Sequence, residues 1–202
     1  KSDVGNKNYY HNSDNKTCIV LKIKVICNKF LTIKYLYTFM QKKVPFTQTQ
    51  IEDIIKTYPT PFHIYDEKNM LENARNLQKA FSWNKGFKEF FAVKANPNPY
   101  LTKLFSNIGF GTDCSSLAEL EISNNIGITG NGIMFTSNNT TAEEYKRARE
   151  LNAIINLDDI SHISYLEEHA GLPDIISFRY NPGNLKAGND IIGNPEEAKY
   201  GL

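Results

Sequence analysis

The chain has 202 residues, 41% of them hydrophobic and 22% charged, with a formal net charge of +1. That balance suits one soluble globular domain and argues against a nucleic-acid binder, whose charge would be far more basic. Cys18, Cys27 and Cys114 are too few and too scattered for a disulfide framework or a zinc site. A reducing compartment is the simplest inference. His11, His63, His162 and His169 show no metal-ligand spacing, so no metal is expected.

In chain order, residues 1–39 read as a leader outside any domain. Lys1 to Lys16 is rich in Lys, Asn, Ser and Asp, a composition that cannot bury a core. From Cys18 to Met40 the residues turn apolar, but Lys22, Lys24, Lys29 and Lys34 interrupt them. A membrane span needs about 20 nearly uncharged residues, and a signal peptide needs an unbroken apolar stretch. Met40 is the first methionine and stands just before Val44-Pro45-Phe46, so the natural start is expected there. A transit peptide is the rival reading, and abundant Lys and Asn without arginine argue against it. Within residues 40–66, Thr47 or Thr49 can cap a short helix carrying Ile51, Ile54 and Ile55 on one face. Pro59-Thr60-Pro61 breaks it, and Phe62 to Tyr65 reads as a short strand. Asp66 then caps a helix whose Met70, Ala74, Leu77 and Phe81 form a core-facing stripe.

Residues 67–202 settle into alternating strands and helices. Strand centres fall near Ala92, Thr112, Met134, Ile155 and Ser177, about 21 residues apart, with amphipathic stretches between them. Glu143 and Arg147, four residues apart, support the third helix. Such alternation predicts an α/β fold with a parallel sheet and right-handed crossovers. A doubly wound sheet would put a glycine-rich phosphate loop after its first strand. Lys94-Ala95-Asn96-Pro97 fills that place, which favours a (β/α)8 barrel.

Phe90-Phe91-Ala92-Val93 is an apolar run that reads as a buried strand ending in Lys94, because Asn96, Pro97, Asn98 and Pro99 cannot continue it. A lysine partly desolvated at the carboxyl end of a core strand loses its proton readily and attacks carbonyls. The alternative is a lysine whose ammonium simply reaches solvent. In a barrel the chemistry gathers at the carboxyl ends of the strands. Those positions are Lys94, Asp113 with Ser116, Ser137 with Asn138, Asp158, and Arg179 with Asn181. Asp113 reads equally as a helix N-cap, Glu119 as an exposed helix carboxylate, and Arg179 as a half-exposed strand end. Arg179 could otherwise pair with Glu119 or with a bound anion.

Phe91-Ala92-Val93-Lys94-Ala95-Asn96-Pro97 resembles the strand and turn that carry the cofactor lysine in diaminopimelate decarboxylases and related pyridoxal-phosphate decarboxylases. Thr60 to Asp66, Gly111 to Ser116 with Glu119, and Ser177 to Gly183 resemble further family segments in the same order. So do Gly188 to Gly193 and Glu197 to Gly201. The resemblance implies an alanine racemase-like, pyridoxal-phosphate-binding (β/α)8 TIM barrel. Its C-terminal strands and its β-domain are not in this chain. Lys94 would hold pyridoxal 5'-phosphate as a Schiff base, and Asp113, Ser116, Glu119 and Arg179 would line the cofactor pocket. The strand near Ile64 would belong to the β-domain. The implied activity of the full-length protein is conversion of diaminopimelate to lysine and carbon dioxide, by a cytoplasmic homodimer acting on a small amino acid. Ornithine, arginine or carboxynorspermidine decarboxylases and alanine racemases share the fold. From other classes, a non-catalytic pyridoxal-phosphate-binding protein and an inactive truncated product remain. This chain by itself is expected to be inactive.

Overall fold

The structure, a computed structural model, describes residues 8–11, 17–21, 44–183 and 201. The family-like stretches Gly188 to Gly193 and Glu197 to Tyr200 lie outside the described residues. Composition suited one domain, but the chain divides into two compact units, residues 1–76 and 77–202. The division falls ten residues inside the stretch assigned to the barrel. No described helix is long and apolar enough to cross a membrane.

In the first unit, strand β1 (Asn8–His11) pairs antiparallel with β2 (Thr17–Leu21). Strand β2 in turn pairs in parallel with β3 (His63–Asp66), Ile19 opposite Ile64. This corrects the expectation that residues 1–39 hold no element of a domain. Thr17-Cys18-Ile19-Val20-Leu21 is a β-branched apolar run of strand length, and it has β3 to pair with. Helix α1 (Gln48–Thr57) opens with a capping box, settling the choice in favour of Thr47. The Gln50 amide donates to Thr47 Oγ1 at 3.2 Å, and the Thr47 amide donates to Gln50 Oε1 at 2.8 Å. Asp66 accepts from the Asn69 amide at 3.1 Å, as expected of a cap, and starts α2 (Glu67–Ala80).

The second unit is built on five strands. These are β4 (Phe90–Ala92), β5 (Gly111–Cys114), β6 (Ile133–Thr136), β7 (Ile154–Leu157) and β8 (Ile176–Phe178). All pair in parallel, in sequence order and with no reversal of direction. The four connections carry α3 (Pro99–Ser106), α4 (Leu117–Asn125), α5 (Ala142–Glu150) and α6 (Ser161–Ala170). Consecutive βα units laid side by side match a barrel wall rather than a doubly wound sheet.

Strand alternation splits this sheet into two faces. Cys114, Ile133, Phe135, Ile155 and Leu157 share one buried cluster with Leu120 of α4, Tyr145 and Ala148 of α5, and Leu166 of α6. Burying each large aliphatic side chain there stabilises the unit by about 1.5–3 kcal/mol. On the opposite face the register aligns Ala92, Asp113, Met134 and Ile154, and one row further Thr136, Asn156 and Ser177. Ser123 of α4 donates to Thr112 Oγ1 at 3.0 Å and lies 3.2 Å from Cys114 Sγ, fixing α4 to β5. Burial pushes the Cys114 thiol up to about 11, so it stays protonated and inert.

Two expected contacts differ in detail. Arg147 does not rely on Glu143: it forks onto Glu121 of α4, at 2.6 and 3.2 Å, and reaches Glu150 at 2.9 Å. A carboxylate on the neighbouring helix offers the planar two-bond geometry that a guanidinium prefers. The stripe through Leu77 and Phe81 is not buried at that end, both being more than a third exposed. The helix stops at Ala80, and Phe81 instead stacks on Phe87 at 4.5 Å.

Gly111 marks the tightest point of the sheet. A Cβ there would meet the Phe90 ring at 2.5 Å and the Gly132 carbonyl oxygen at 2.6 Å. Gly111→Ala should therefore lower stability by about 1–3 kcal/mol, as overpacked cores do. Calorimetry checks this, and an unchanged melting temperature would contradict the close approach.

Candidate active site

The local sequence decides where Lys94 stands. The strand ends at Ala92, one residue short of the apolar run, and Val93–Ala95 form a single 3-10 turn. Pro97 and Pro99 have no amide hydrogen to extend a ladder. Asn98 caps α3, accepting from the Tyr100 and Leu101 amides at 2.9 and 3.4 Å. Val93 is fully buried while Lys94 is exposed at the carboxyl edge of the sheet. The expected desolvation of Lys94 is thus corrected: the turn lifts its side chain past the strand end instead of packing it in the wall.

Asp113 lies on the helix-free face of β5 beside Ala92 and Met134. Its Oδ1 is sealed from solvent and accepts no hydrogen bond among the described residues. Burial raises its pKa above the ordinary aspartate value. A hydrogen bond with Thr136 and the positive charges of Lys94 and Arg179 oppose that rise, while the charge of Glu119 adds to it. The N-cap reading of Asp113 is overturned, because Ser116 caps α4. Ser116 Oγ accepts from the Glu119 amide at 3.4 Å and donates to Glu119 Oε1 at 3.3 Å. Glu119 Oε2 also accepts from the Ser115 amide at 2.9 Å. Ser116 and Glu119 therefore hold each other in the first turn of α4, a short step from Asp113. Glu119 is not the exposed helix carboxylate of the alternative reading, being only half-exposed.

Arg179 follows β8, and its amide donates to the Leu157 carbonyl at 3.0 Å, which carries the ladder past the strand. Its guanidinium lies 3.1 Å from Asp158 as an ion pair. The carboxylate that the structure sets against it is Asp158, whereas Glu119 or a bound anion were the partners the sequence left open. The reason is register: Asp158 and Arg179 stand one rung beyond Asn156 and Ser177 on adjacent strands. Ser137 is buried after β6 and Asn138 is exposed, while Asn181 accepts from the Gly183 amide at 2.9 Å.

Three residues of this face escaped the reading of strand ends: Thr136, Asn156 and Ser177. Ser177 donates to Asn156 Oδ1 at 2.8 Å. The signal was present in the alternation of Ile154-Ile155-Asn156-Leu157, where the polar residue occupies a position opposite in face to Ile155.

The face thus gathers an amine, a half-buried carboxyl with an open oxygen, and an arginine at one edge of a parallel sheet. Such a donor set fits an aldehyde-bearing, anionic heterocycle: the amine bonds the aldehyde carbon, and the arginine answers the negative charge. Among the described residues no group of His, Cys, Asp and Glu is placed to hold a metal ion.

The pyridoxal binding domain of pyridoxal-dependent decarboxylases matches residues 67–202. The chain belongs to this family. Protein TabA of Pseudomonas amygdali pv. tabaci is 41% identical over 152 residues, covering 75% of this chain and 35% of TabA. A diaminopimelate decarboxylase of Helicobacter pylori is 32% identical over 158 residues, covering 75% of this chain and 38% of that protein. The solved diaminopimelate decarboxylase of M. jannaschii in co-complex with L-lysine superposes with a TM-score of 0.67 at 29% identity. That match covers 76% of this chain and 38% of the solved one. The chain therefore spans little more than a third of the length of these relatives, and the sheet described above is the amino-terminal part of an alanine racemase-like barrel. The cofactor of this decarboxylase family is pyridoxal phosphate.

Asp113 supplies a test of the site's electrostatics. A carboxyl whose folded pKa is raised contributes stability below its ordinary pKa and loses it as pH rises through the raised value. The protein should therefore lose stability as pH rises above the ordinary aspartate range, and Asp113→Asn should flatten that loss. Urea midpoints measured across the acid range check this; identical pH profiles would contradict the assignment.

Proposed function

We propose that this chain supplies the cofactor lysine of a full-length pyridoxal-phosphate-dependent amino-acid decarboxylase, and that the enzyme converts diaminopimelate to lysine and carbon dioxide. The observation that carries the reading is Lys94, projecting from the carboxyl edge of the sheet within electrostatic reach of Asp113. Support for the substrate comes from the motif around Lys94 and from diaminopimelate decarboxylases among the relatives.

Pyridoxal phosphate, when bound, supplies an electron sink for the charge left after a carboxylate departs. The chain's own residues do the rest. Lys94 Nζ, exposed at the carboxyl edge of the sheet, would hold the cofactor through its aldehyde and be open to an incoming amine. Burial raises the Asp113 pKa above the ordinary aspartate value, and its Oδ1 stands open to a donor on a bound group. Arg179 meets an oxyanion, and Thr136, Asn156 and Ser177 present hydrogen-bonding groups on the wall between them. Ser116 and Glu119 brace the turn that follows Asp113.

A second reading keeps the chemistry and changes the substrate. Identity to TabA, at 41%, exceeds identity to the Helicobacter enzyme, at 32%, so the relatives' names leave the substrate open and ornithine or arginine is the alternative. Product analysis of the full-length enzyme offered diaminopimelate, ornithine and arginine decides between them. Lysine should form from diaminopimelate with a kcat/KM at least about tenfold above the others, a difference of about 1.4 kcal/mol. Preference for another amino acid would overturn the substrate. Lys94→Ala should lower kcat by about a thousandfold or more without unfolding the protein, as loss of a covalent catalyst does.

A further inference from the structure

We infer that Asp158 is a positioning residue: its carboxylate fixes the Arg179 guanidinium on the helix-free face, so that the arginine meets an oxyanion in one orientation. The inference rests on the proposed reading of that face as the cofactor and substrate site. The oxyanion comes either from the cofactor or from the substrate carboxylate.

Register is the first ground. Asn156 and Ser177 are partners across β7 and β8, joined side chain to side chain at 2.8 Å. Two residues further along, beyond the last paired rung, Asp158 and Arg179 stand 3.1 Å apart. The Arg179 amide bond to Leu157 keeps the ladder in register at that rung.

Burial is the second. The Asp158 side chain is 6% exposed and that of Arg179 is 37% exposed. A carboxylate this deep is costly unless a cation answers it. Its position in the wall is therefore tied to the arginine. Asp158 Oδ1 makes this contact as a charge pair and accepts no hydrogen bond among the described residues, so it is charge that holds the planar guanidinium beside it.

The third ground removes the ordinary role of an aspartate before a helix. Helix α6 starts at Ser161, and Asp159 serves its entry: the Ser161 amide and hydroxyl donate to Asp159 Oδ1 at 2.8 and 2.6 Å. Those hydrogen bonds hold Asp159 below the ordinary aspartate pKa. Asp158 is thereby released from capping. Arg179 also lies close enough to Asp113 to lower its pKa, which places the guanidinium in the field of the site.

The test is a double-mutant cycle in the full-length enzyme, using Asp158→Asn, Arg179→Gln and the pair together. Pyridoxal phosphate affinity is read by absorbance, and KM and kcat by carbon dioxide release. Asp158→Asn should weaken one constant by about tenfold or more, and Arg179→Gln should weaken the same one. A change in cofactor affinity assigns the oxyanion to the cofactor; a change in KM at saturating cofactor assigns it to the substrate. The double variant should be no worse than Arg179→Gln alone. Effects that multiply in the double variant, or constants unmoved by Asp158→Asn, overturn the inference. Asp158→Glu carries the test should the amide variant not fold: the same constant should move, and by less than in Arg179→Gln. Unmoved constants there overturn the inference too. A wild-type enzyme that takes up no pyridoxal phosphate would overturn the cofactor reading itself, which separates the two failures.

Discussion

The strict two-residue period of short parallel strands is the constraint on which the site depends. Each of β5, β6 and β7 has four residues, two for the helical layer and two for the other face. The helical side takes Ile133, Phe135, Ile155 and Leu157, all nearly inaccessible to solvent. A slip of one residue would move those four into the opposite face and carry Asn156 under the helices. The apolar burial that stabilises the unit is thus the force that aims Asp113, Thr136 and Asn156 at the site. Stability and chemistry share one register.

The same face holds the groups that a stability-only design would avoid. Asp113 keeps a buried oxygen without a hydrogen bond, and Asp158 sits 6% exposed against a single described cation. A sealed polar atom without a partner destabilises a fold by about 1–3 kcal/mol. Native structures retain such groups where function needs them. The open oxygen of Asp113, in the field of Lys94 and Arg179 at the carboxyl edge of the sheet, stands where the proposed site lies.

Much of this was legible in the sequence. The strand positions in residues 90–178 and the helices between them followed from apolar periodicity. Lys94 followed from the abrupt change from Phe90-Phe91-Ala92-Val93 to alternating Asn and Pro. What escaped was decided between segments distant in sequence. Local spacing suggested Glu143 for Arg147, and Glu119 was one of the partners open to Arg179, whereas tertiary neighbours supplied Glu121 and Asp158. Asp113 read equally as an N-cap because periodicity does not resolve where the helix after β5 starts. The pairing of Thr17–Leu21 with β3 was hidden because lysines on either side made the whole segment look solvated.

The central claim is that one amine, Lys94, holds the cofactor. Borohydride reduction of the full-length protein loaded with pyridoxal phosphate, followed by peptide mass spectrometry, tests it most directly. The account predicts a single pyridoxyl group on the peptide containing Lys94. An adduct on Lys103, Lys88 or any other lysine, with Lys94 unmodified, would contradict it.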